Sequence, residues 1–257
     1  MPPLGMTLVD AHNVVSNNQI TNYAQLTRSY SHGVYVGGVG ALVHHNFIFN
    51  APHQGIAASG NNHVFSLNIL MNLCYGTIDA GAFYIGRSWV NRGMVLSENN
   101  FVDIFIQEPV ADVSTMVSGI YLDDQQSGVT AVGNRMLNVD NCFLVGGGRD
   151  NTIVGNECVN SSNYMIYFDN RGMAWQSALC TPPNGMLVEQ LIAVNFTNPP
   201  YSTAYPRIVT TLTDSPCVPV GNVFANNVYS NVAYGFISQD NGTIASWNST
   251  SYNNTQI

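Results

Sequence analysis

A recurring asparagine beside short apolar segments most constrains how this chain can fold. Asn46 and Asn68 are 22 residues apart, as are Asn134 and Asn156, while the two intervals that meet at Asn100 are longer. Aliphatic residues recur after each marker in strand-like alternation. A period near 22 with such alternation is typical of a solenoid whose coils bury their apolar face by stacking on one another. The sequence therefore predicts an all-β fold, a right-handed parallel β-helix with one long irregular excursion.

The phase of the repeat predicts an internal ladder and an external column. Ten residues after each marker, once the twelve extra residues that follow Asn100 are left out, lies an aliphatic residue. These residues are Ile56, Ile78, Leu122, Leu144 and Ile166. Because side chains alternate along a strand, the following position should face solvent. That position is occupied by Asp79 and Asp123 on two adjacent coils. We therefore expect these two carboxylates to lie in line on the surface.

The repeat indicates a single domain over residues 1–257. Residues 172–218 lose the period and contain segments typical of short helices, and we expect this excursion to wall the groove beside Asp79. Residues 238–257 are polar and are predicted to form a loose tail. Solenoids need terminal caps, and none is evident in the first coil. We therefore expect either a monomer or end-to-end contact through that coil.

Charge and motif content restrict the classes of partner. The chain has no lysine, and its seven arginines and fifteen acids give a net charge of −8. This balance argues against nucleic acid and anionic membrane surfaces, which require basic patches. No apolar run is long enough to span a membrane. Phosphate-binding loops, dinucleotide fingerprints and paired-cysteine motifs are missing from the sequence, so no cofactor and no metal are predicted.

Cysteines and glycosylation sequons bear on the compartment. Cys142 and Cys158 fall on inward positions and are expected to be buried thiols. Cys74 is either core or site wall, and for Cys180 and Cys217, which flank the excursion, a bridge is one alternative. Sequons begin at Asn160, Asn195, Asn241, Asn248 and Asn253. We expect a secreted, extracellular protein, although the first residues show no signal peptide.

The aligned acids are the first candidates for chemistry. Glycoside hydrolysis needs two carboxyl groups, a protonated acid for the leaving oxygen and an ionised base or nucleophile. Asp79 and Asp123 are therefore the predicted catalytic pair, and closely spaced like charges would separate their pKa values. Asp124 should point inward or into a turn and orient Asp123. The alternative is that these acids bind only turn amides and water.

Aromatic and polar residues around the pair are the predicted sugar contacts. They are Arg87, Trp89, Tyr121, Tyr167, Asp169, Arg171, His53, His63, Trp175 and Tyr201, with Asp124 beside them. Each group also has a structural interpretation. The insertion that holds Arg87, Trp89 and Arg92 could be ordinary loop packing, and Asp169 could pair with Arg171. The histidines could be hydrogen-bonded turn residues, since their spacing matches no compact zinc motif.

Several strings together resemble a known family, the right-handed parallel β-helix proteins of glycoside hydrolase family 141. The similarity covers residues from about 13 to 235, which correspond to the C-terminal half of a typical member. The matching strings are GVGALVHHN, APHQGIAASGNNH, IDAGAFYIGRSW, GIYLDDQQSG, GGGRDNTIVGN, FDNRGMAW, PPYSTAYPR and SPCVPVGN. The resemblance implies activity on plant-type polysaccharides, such as α-fucosidase or xylanase activity, through two aspartates that match Asp79 and Asp123. Where members carry further acids, this chain has Thr77 and Ile78.

Three functional hypotheses follow. The first is a glycoside hydrolase that acts on a polysaccharide or oligosaccharide through the aspartate pair. The alternative is a non-catalytic carbohydrate-binding or surface β-helix protein. A polysaccharide lyase ranks below both, because lyases on this fold commonly use lysine or arginine as the base and several acids to hold calcium, and this chain has no lysine and a thin acidic cluster.

Overall fold

A computed structural model describes residues 7–107, 116–238 and 249–257. For residues 236–238 it describes the backbone alone. The predicted insertion at 107–118 lies largely outside the described residues. The sequons at Asn241 and Asn248 also lie outside them.

Strands of the first sheet occur once per coil, and all of them pair in parallel. Within the described ranges this sheet has eight strands. In spatial order they are β1 Val14–Ser16, β4 Leu42–His44, β7 Val64–Ser66, β10 Met94–Ser97, β13 Val129–Val132, β16 Thr152–Val154, β18 Val223–Ala225 and β20 Thr250–Tyr252. Their burial alternates along the strand, as in β7 and β16, where the central residue is buried and its neighbours are half-buried.

The second sheet contains the other two strands of each coil. One run comprises β2 Gln19–Thr21, β5 Phe47–Ala51, β8 Ile69–Leu73, β11 Asn100–Ile104 and β14 Arg135–Val139. The other comprises β3 Val34–Val36, β6 Ile56–Ala58, β9 Gly81–Gly86, β12 Ser118–Asp123 and β15 Asn141–Gly146. The runs meet at β17 Glu157–Asp169, which pairs with β19 Val228–Ser238, and β21 Thr255–Gln256 follows. The predicted parallel β-helix is confirmed.

Helices within the described residues interrupt the solenoid between β17 and β18. They are α1 Ser177–Cys180, α2 Met186–Ala193 and α3 Tyr201–Ala204, with 3-10 turns at Arg171–Met173 and Pro206–Thr210. A small apolar core of their own, separate from the solenoid interior, includes Leu187, Leu191 and Ile208. At the C-terminal end, residues 249–257 belong to the predicted loose tail, and they add β20 and β21 to the two sheets.

A ladder of asparagine amides runs along the turn between the first and second strand of each coil. Each Oδ1 accepts from the backbone N–H and the side-chain amide of the preceding asparagine, as Asn134 does from Asn99 at 3.0 and 2.9 Å. Each Nδ2 donates to a strand carbonyl, as Asn134 does to Leu96 at 2.9 Å. The ladder contains Asn18, Asn46, Asn68, Asn99, Asn134, Asn156, Asn227 and Asn254. The marker on the fourth coil is therefore Asn99 rather than Asn100.

The predicted apolar ladder is wrong in register, although its first and last members are correct. The observed column is Val34, Ile56, Phe83, Ile120, Phe143 and Ile166. Extra residues on the third coil precede β9, so Ile78 lies in a loop and Phe83 takes its place. Leu122 belongs to the next inward column, between Ile85 and Val145. Leu144 pairs with Tyr121 on the outward side.

Disulfides join two pairs of cysteines among the described residues. The expectation of free thiols at Cys142 and Cys158 is wrong, because Cys142 on β15 and Cys158 on β17 of the next coil both face the interior and are bonded. Cys180 and Cys217 are also bonded and close a loop of the excursion. Cys74 is free and buried. Such disulfides are typical of extracellular or otherwise oxidising compartments.

Replacing Asn134 by alanine should lower the free energy of unfolding by about 2–4 kcal/mol. The change leaves buried donors on Asn99 and the buried Leu96 carbonyl without their partner. Urea denaturation followed by circular dichroism measures this loss.

The control is Asn18→Ala, at the exposed end of the same ladder, where water can replace the lost bonds. We expect a loss of about 1 kcal/mol or less there. Equal losses in the two variants would contradict a stabilising role for the buried amides.

Candidate functional site

Two carboxylates occupy the same register position two coils apart. Asp123 ends β12 and pairs with Gly86, which ends β9. Asp169 ends β17 and pairs with Gly146, which ends β15. Strand β15 lies between β12 and β17, so glycine lies between the two acids. The ends of these strands form one surface column that carries acids on alternate coils.

The glycine between the acids leaves room for Arg171. A Cβ atom on Gly146 would lie 2.5 Å from Cζ of Arg171. Across this gap, Nη1 of Arg171 donates to Asp123 at 2.6 Å, while Nε and Nη2 donate to Asp169 at 2.9 and 2.7 Å. The Arg171 side chain is 3 % exposed. It therefore forms a buried bridge between acids two coils apart, and the predicted Asp169–Arg171 ion pair is present.

Asp124 is a second buried carboxylate, directly after β12. Asp124 and Gln125 both have left-handed backbones, with φ of 41° and 64°, and this turns the Asp124 side chain away from the strand direction. Its Oδ2 accepts from Nε of Arg87, and its Oδ1 accepts from Nε2 of Gln176 and from Arg171, the last at 3.2 Å. Asp124 thus holds Arg87 and Arg171 beside Asp123, consistent with the orienting position predicted for it.

Burial and neighbouring charge separate the pKa values of the two adjacent acids. Burial, and next the Asp124 carboxylate, raise the pKa of Asp123 above its usual range, against the opposing charge of Arg171. Burial would also raise the pKa of Asp124, but the hydrogen bonds from Gln176 and Arg87 outweigh it and lower that pKa. Asp124 is thus the more stable anion of the two. Asp123 is the group that a proton occupies more readily.

A cleft of about 270 Å³ opens beside Asp123. Its lining comes from loops of successive coils and from the ends of β9 and β12. The described lining residues are Ser29, Tyr30, His53, Gln54, Thr77, Asp79, Tyr84, Arg87 and Asp123. Asp79 is exposed, whereas Asp123 is 8 % exposed, and Tyr84 donates to Oδ2 of Asp123 at 2.8 Å. The cleft thus contains one solvated and one shielded carboxylate.

The predicted alignment of the two acids is wrong. Asp123 is in register with Gly86, whereas Asp79 lies in the loop that leads into β9. The error follows from the register shift on the third coil. Both acids nevertheless line the same cleft, because that loop passes beside the surface of β9 and β12.

The two predicted histidines have different environments. His53 lines the cleft with its ring centroid 6.2 Å from that of Tyr30, and burial, then the charge of His32, lowers the pKa of His53 to about 4. Its imidazole is therefore neutral at neutral pH. His63 is buried, accepts from the Ala41 amide at 2.9 Å and lies 2.8 Å from the Ser59 carbonyl. His63 is therefore a turn histidine, and the prediction that it contacts sugar is wrong.

The predicted aromatic contacts are mostly internal. Trp89 and Tyr201 are buried in the core of the excursion, so the predictions that they contact sugar are wrong. Tyr121 is 2 % exposed and Tyr167 is half-buried, both in the outward column that includes Tyr84. Trp175 is 73 % exposed, and its ring lies 5.5 Å from Cζ of Arg171, outside the cleft lining.

The excursion supports the site from behind instead of walling the cleft as predicted. None of its described residues lines the cleft. Gln176 donates to Asp124, and Gln190 donates to the carbonyl of Arg87 at 3.0 Å. Tyr205 donates to Asn62 at 2.7 Å, which fixes the segment to an earlier coil. The excursion therefore positions the carboxylate and arginine that flank Asp123.

Sequence reasoning missed several residues of the site. Tyr84 lies in the outward column with Tyr121, so the correct register would have identified it. Gln176 and Gln54 carry no pattern of their own. Their positions follow from how the excursion and the second coil pack, and no spacing in the sequence reveals this.

Comparisons with protein-family models, curated proteins and solved structures find no match for this chain. Among the described residues, no helix is long and apolar enough to cross a membrane. No group of three His, Cys, Asp or Glu side chains in the same ranges is placed to bind a metal ion. The fold and the site therefore define the class of protein: a parallel β-helix with a buried arginine–carboxylate cluster beside an open cleft.

Asp123→Asn and Asp124→Asn should have different effects on stability. A raised pKa in the folded state means that the stability contributed by protonated Asp123 is lost as pH rises through that pKa. Asp123→Asn removes this loss, so we expect stability at neutral pH to be unchanged or increased. Asp124→Asn should cost about 2 kcal/mol, because Gln176 and the buried Arg171 each lose a charged acceptor, although Arg171 keeps Asp169 and Asp123.

Urea denaturation at a series of pH values tests both expectations. Asp123→Asn should flatten the decline in stability above the usual range of aspartate pKa values. In Asp124→Asn, the stability that wild type loses as pH falls from that range to below it should already be missing. A larger loss in Asp123→Asn than in Asp124→Asn at neutral pH would contradict the assignment.

Proposed function

We propose that this protein is a glycoside hydrolase in which Asp123 is the proton donor and Asp79 the ionised base or nucleophile. The observation that supports this most is the shared cleft, with one exposed and one shielded carboxylate. Two carboxyl groups in different environments are what acid–base cleavage of a glycosidic bond requires. The resemblance of the sequence to family 141 points to the same two residues.

The environment of Asp123 suits a general acid. Its raised pKa keeps a proton available nearer to neutral pH than an exposed aspartate would. Tyr84 and Arg171 fix the direction of the carboxyl group, and Asp124 remains ionised beside it. During cleavage the proton passes from Asp123 to the glycosidic oxygen, while Asp79 either activates water or attacks the anomeric carbon. In the first case water adds to the anomeric carbon and gives its proton to Asp79. In the second, water gives its proton to Asp123 and cleaves the covalent bond between the sugar and Asp79, which frees the sugar and Asp79.

The rest of the cleft suits an uncharged or weakly charged sugar. Tyr30 and His53 offer ring surface, and Thr77 and Gln54 offer hydrogen-bonding groups. The Arg87 side chain is 66 % exposed and is the arginine among the described lining residues. We propose an oligosaccharide or polysaccharide as the substrate, bound without a metal or cofactor.

Compartment and assembly belong to the same proposal. A secreted, extracellular location is supported by the two disulfides and by exposed sequon asparagines at Asn195 and Asn253. End-to-end contact through the N-terminal coil remains a prediction.

A non-catalytic carbohydrate-binding role is the second candidate. It is favoured by the saturation of Asp123, whose Oδ1 accepts from Arg171 and from the Asp124 amide and whose Oδ2 accepts from Tyr84. A carboxylate so fully bonded resembles a structural ion pair. Incubation with plant cell-wall and algal polysaccharides separates the hypotheses: new reducing ends indicate hydrolysis, ultraviolet absorbance of unsaturated sugars indicates elimination, and binding without either indicates a binding protein.

Asp79→Asn and Asp123→Asn should each reduce turnover by at least about 100-fold, because each removes one half of the acid–base machinery. Release of reducing ends from the best substrate of the panel measures this. The matched control is Asp103→Asn, at a position where Asn50 and Asn72 occur on other coils with the same left-handed backbone. Near-wild-type turnover in either cleft variant would remove the case for this pair.

Tyr84→Phe should move the alkaline limb of the pH–rate profile to higher pH. The hydrogen bond from Tyr84 lowers the pKa of Asp123, so its loss lets that pKa rise further. Because an acid catalyst loses its proton above its pKa, activity should then persist to higher pH. Tyr121→Phe, the same change in the same column on the next coil, is the control. An unmoved or lowered limb in Tyr84→Phe would contradict the role of Asp123.

A further inference from the structure

A second cavity lies away from the acid cluster, where the second and third strands of the last coils meet. It has a volume of about 480 Å³, and an adjoining cavity of about 210 Å³ shares three of its lining residues. Asn138, Asn160, Ser162, Asn231 and Gln256 supply most of the polar lining, and Phe105 lines the adjoining part. We call this continuous surface the amide groove. No residue described in the groove also lines the cleft of Asp79 and Asp123.

The asparagines of the groove occupy equivalent positions on successive coils. Asn138, Asn160 and Asn231 have left-handed backbones, with φ of 57°, 56° and 50°. Strand pairing on either side places them in one row, at the rung spacing of about 4.8 Å. Left-handed asparagines at these bends project their exposed amides from a fixed backbone. The row is therefore preorganised, which reduces the entropy lost when a ligand binds.

Hydrogen bonds between coils fix which amide atoms remain open. Nδ2 of Asn231 donates to Oδ1 of Asn160 at 2.7 Å, and Nδ2 of Asn138 donates to Asp103 at 2.6 Å. Within the part of the chain that the structure describes, three atoms have no hydrogen-bond partner: Oδ1 of Asn138, Nδ2 of Asn160 and Oδ1 of Asn231. Along the row they form an acceptor, a donor and an acceptor. Hydroxyl groups both donate and accept, so a polyol chain can match this alternation.

The charge of the groove favours a neutral ligand. The described lining contains no arginine, and its carboxylate, Asp140, already accepts from Ser162 at 2.7 Å. An anionic chain would therefore meet no cation there. Beneath Asn138 and Asn160 a peptide added as a further strand is also disfavoured, because β14 and β17 are paired on both sides. Beneath Asn231, β19 is paired with β17 and, at Val228 and Tyr229, with β21.

From these observations we infer that the amide groove is a non-catalytic binding site for a neutral oligosaccharide, which lies along the solenoid axis. Hydroxyls of the sugar bond to the open amide atoms of successive coils, and Phe105 provides a face on which a sugar ring packs. The inference does not depend on activity at Asp123. The protein would then have a second glycan-binding site, and a polymer that occupies both sites is bound more tightly by avidity.

The groove variant combines Asn138→Gly, Asn160→Gly and Asn231→Gly. Glycine accepts a left-handed backbone without strain, so the change removes the amides and keeps the bend. The control variant combines Asn50→Gly and Asn72→Gly, which remove the same kind of coil-to-coil amide bond, 2.9 Å long, at the other end of the solenoid. Production in a bacterial periplasm allows disulfides to form and leaves the sequon at Asn160 without a glycan.

Isothermal titration calorimetry with xylohexaose, cellohexaose and mannohexaose, and with hexagalacturonate as the anionic comparator, measures binding. All proteins carry Asp123→Asn so that no ligand is cleaved. We expect a neutral hexasaccharide to bind, the groove variant to weaken binding at least about tenfold, and the control variant to bind as the parent does. Three outcomes would overturn the inference. They are equal affinity in the groove variant and the parent, tighter binding of hexagalacturonate than of the neutral sugars, and no binding of any neutral hexasaccharide at sugar concentrations up to about 10 mM.

Discussion

The buried asparagine ladder is the constraint on which the rest of this structure depends. Its successive members are separated by between 22 and 71 residues, yet each bonds to the next with nearly the same distances. A buried amide that missed its partner would leave several polar groups unsatisfied, so the ladder fixes the register of every coil. Extra residues must then leave the solenoid as loops. The cleft, the arginine bridge and the excursion are all consequences of where such loops depart.

The sequence predicts the architecture more reliably than the site, because the repeat is visible in the sequence whereas the points at which loops leave the solenoid are not. A repeated asparagine with strand-like alternation identifies the solenoid, and it needs no knowledge of loop positions. The register needs that knowledge. The predicted alignment of Asp79 with Asp123 assumes that the extra residues of the third coil follow Asp79, whereas the structure has extra residues before β9 and leaves Asp79 in a loop. The Asp169–Arg171 pair was found because it depends on neighbouring residues alone.

Residues whose role depends on packing between distant segments could not be predicted. Trp89 occurs in a polar insertion and resembles a sugar contact, but the helices of the excursion bury it. Cys142 and Cys158 are both inward-facing, but their bond requires strands β15 and β17 of successive coils to bring them together in the interior. Gln176 reaches Asp124 because the excursion folds back over the ends of β9 and β12. In each case the partner lies on another segment, and the sequence alone does not show which one.

The position of Asp123 within its column of strand ends bears on the role of this residue. Gly86 and Gly146 hold the equivalent positions on the adjacent coils, so the solenoid does not require a side chain there. An acid at this place is costly: burial and the adjacent Asp124 raise its pKa, and Arg171, Tyr84 and the Asp124 amide are needed to hold it. A residue that the fold does not need, kept in an environment that opposes its charge and facing an open cleft, is characteristic of a functional site. An acid at this position therefore agrees with the role proposed for Asp123 at the cleft.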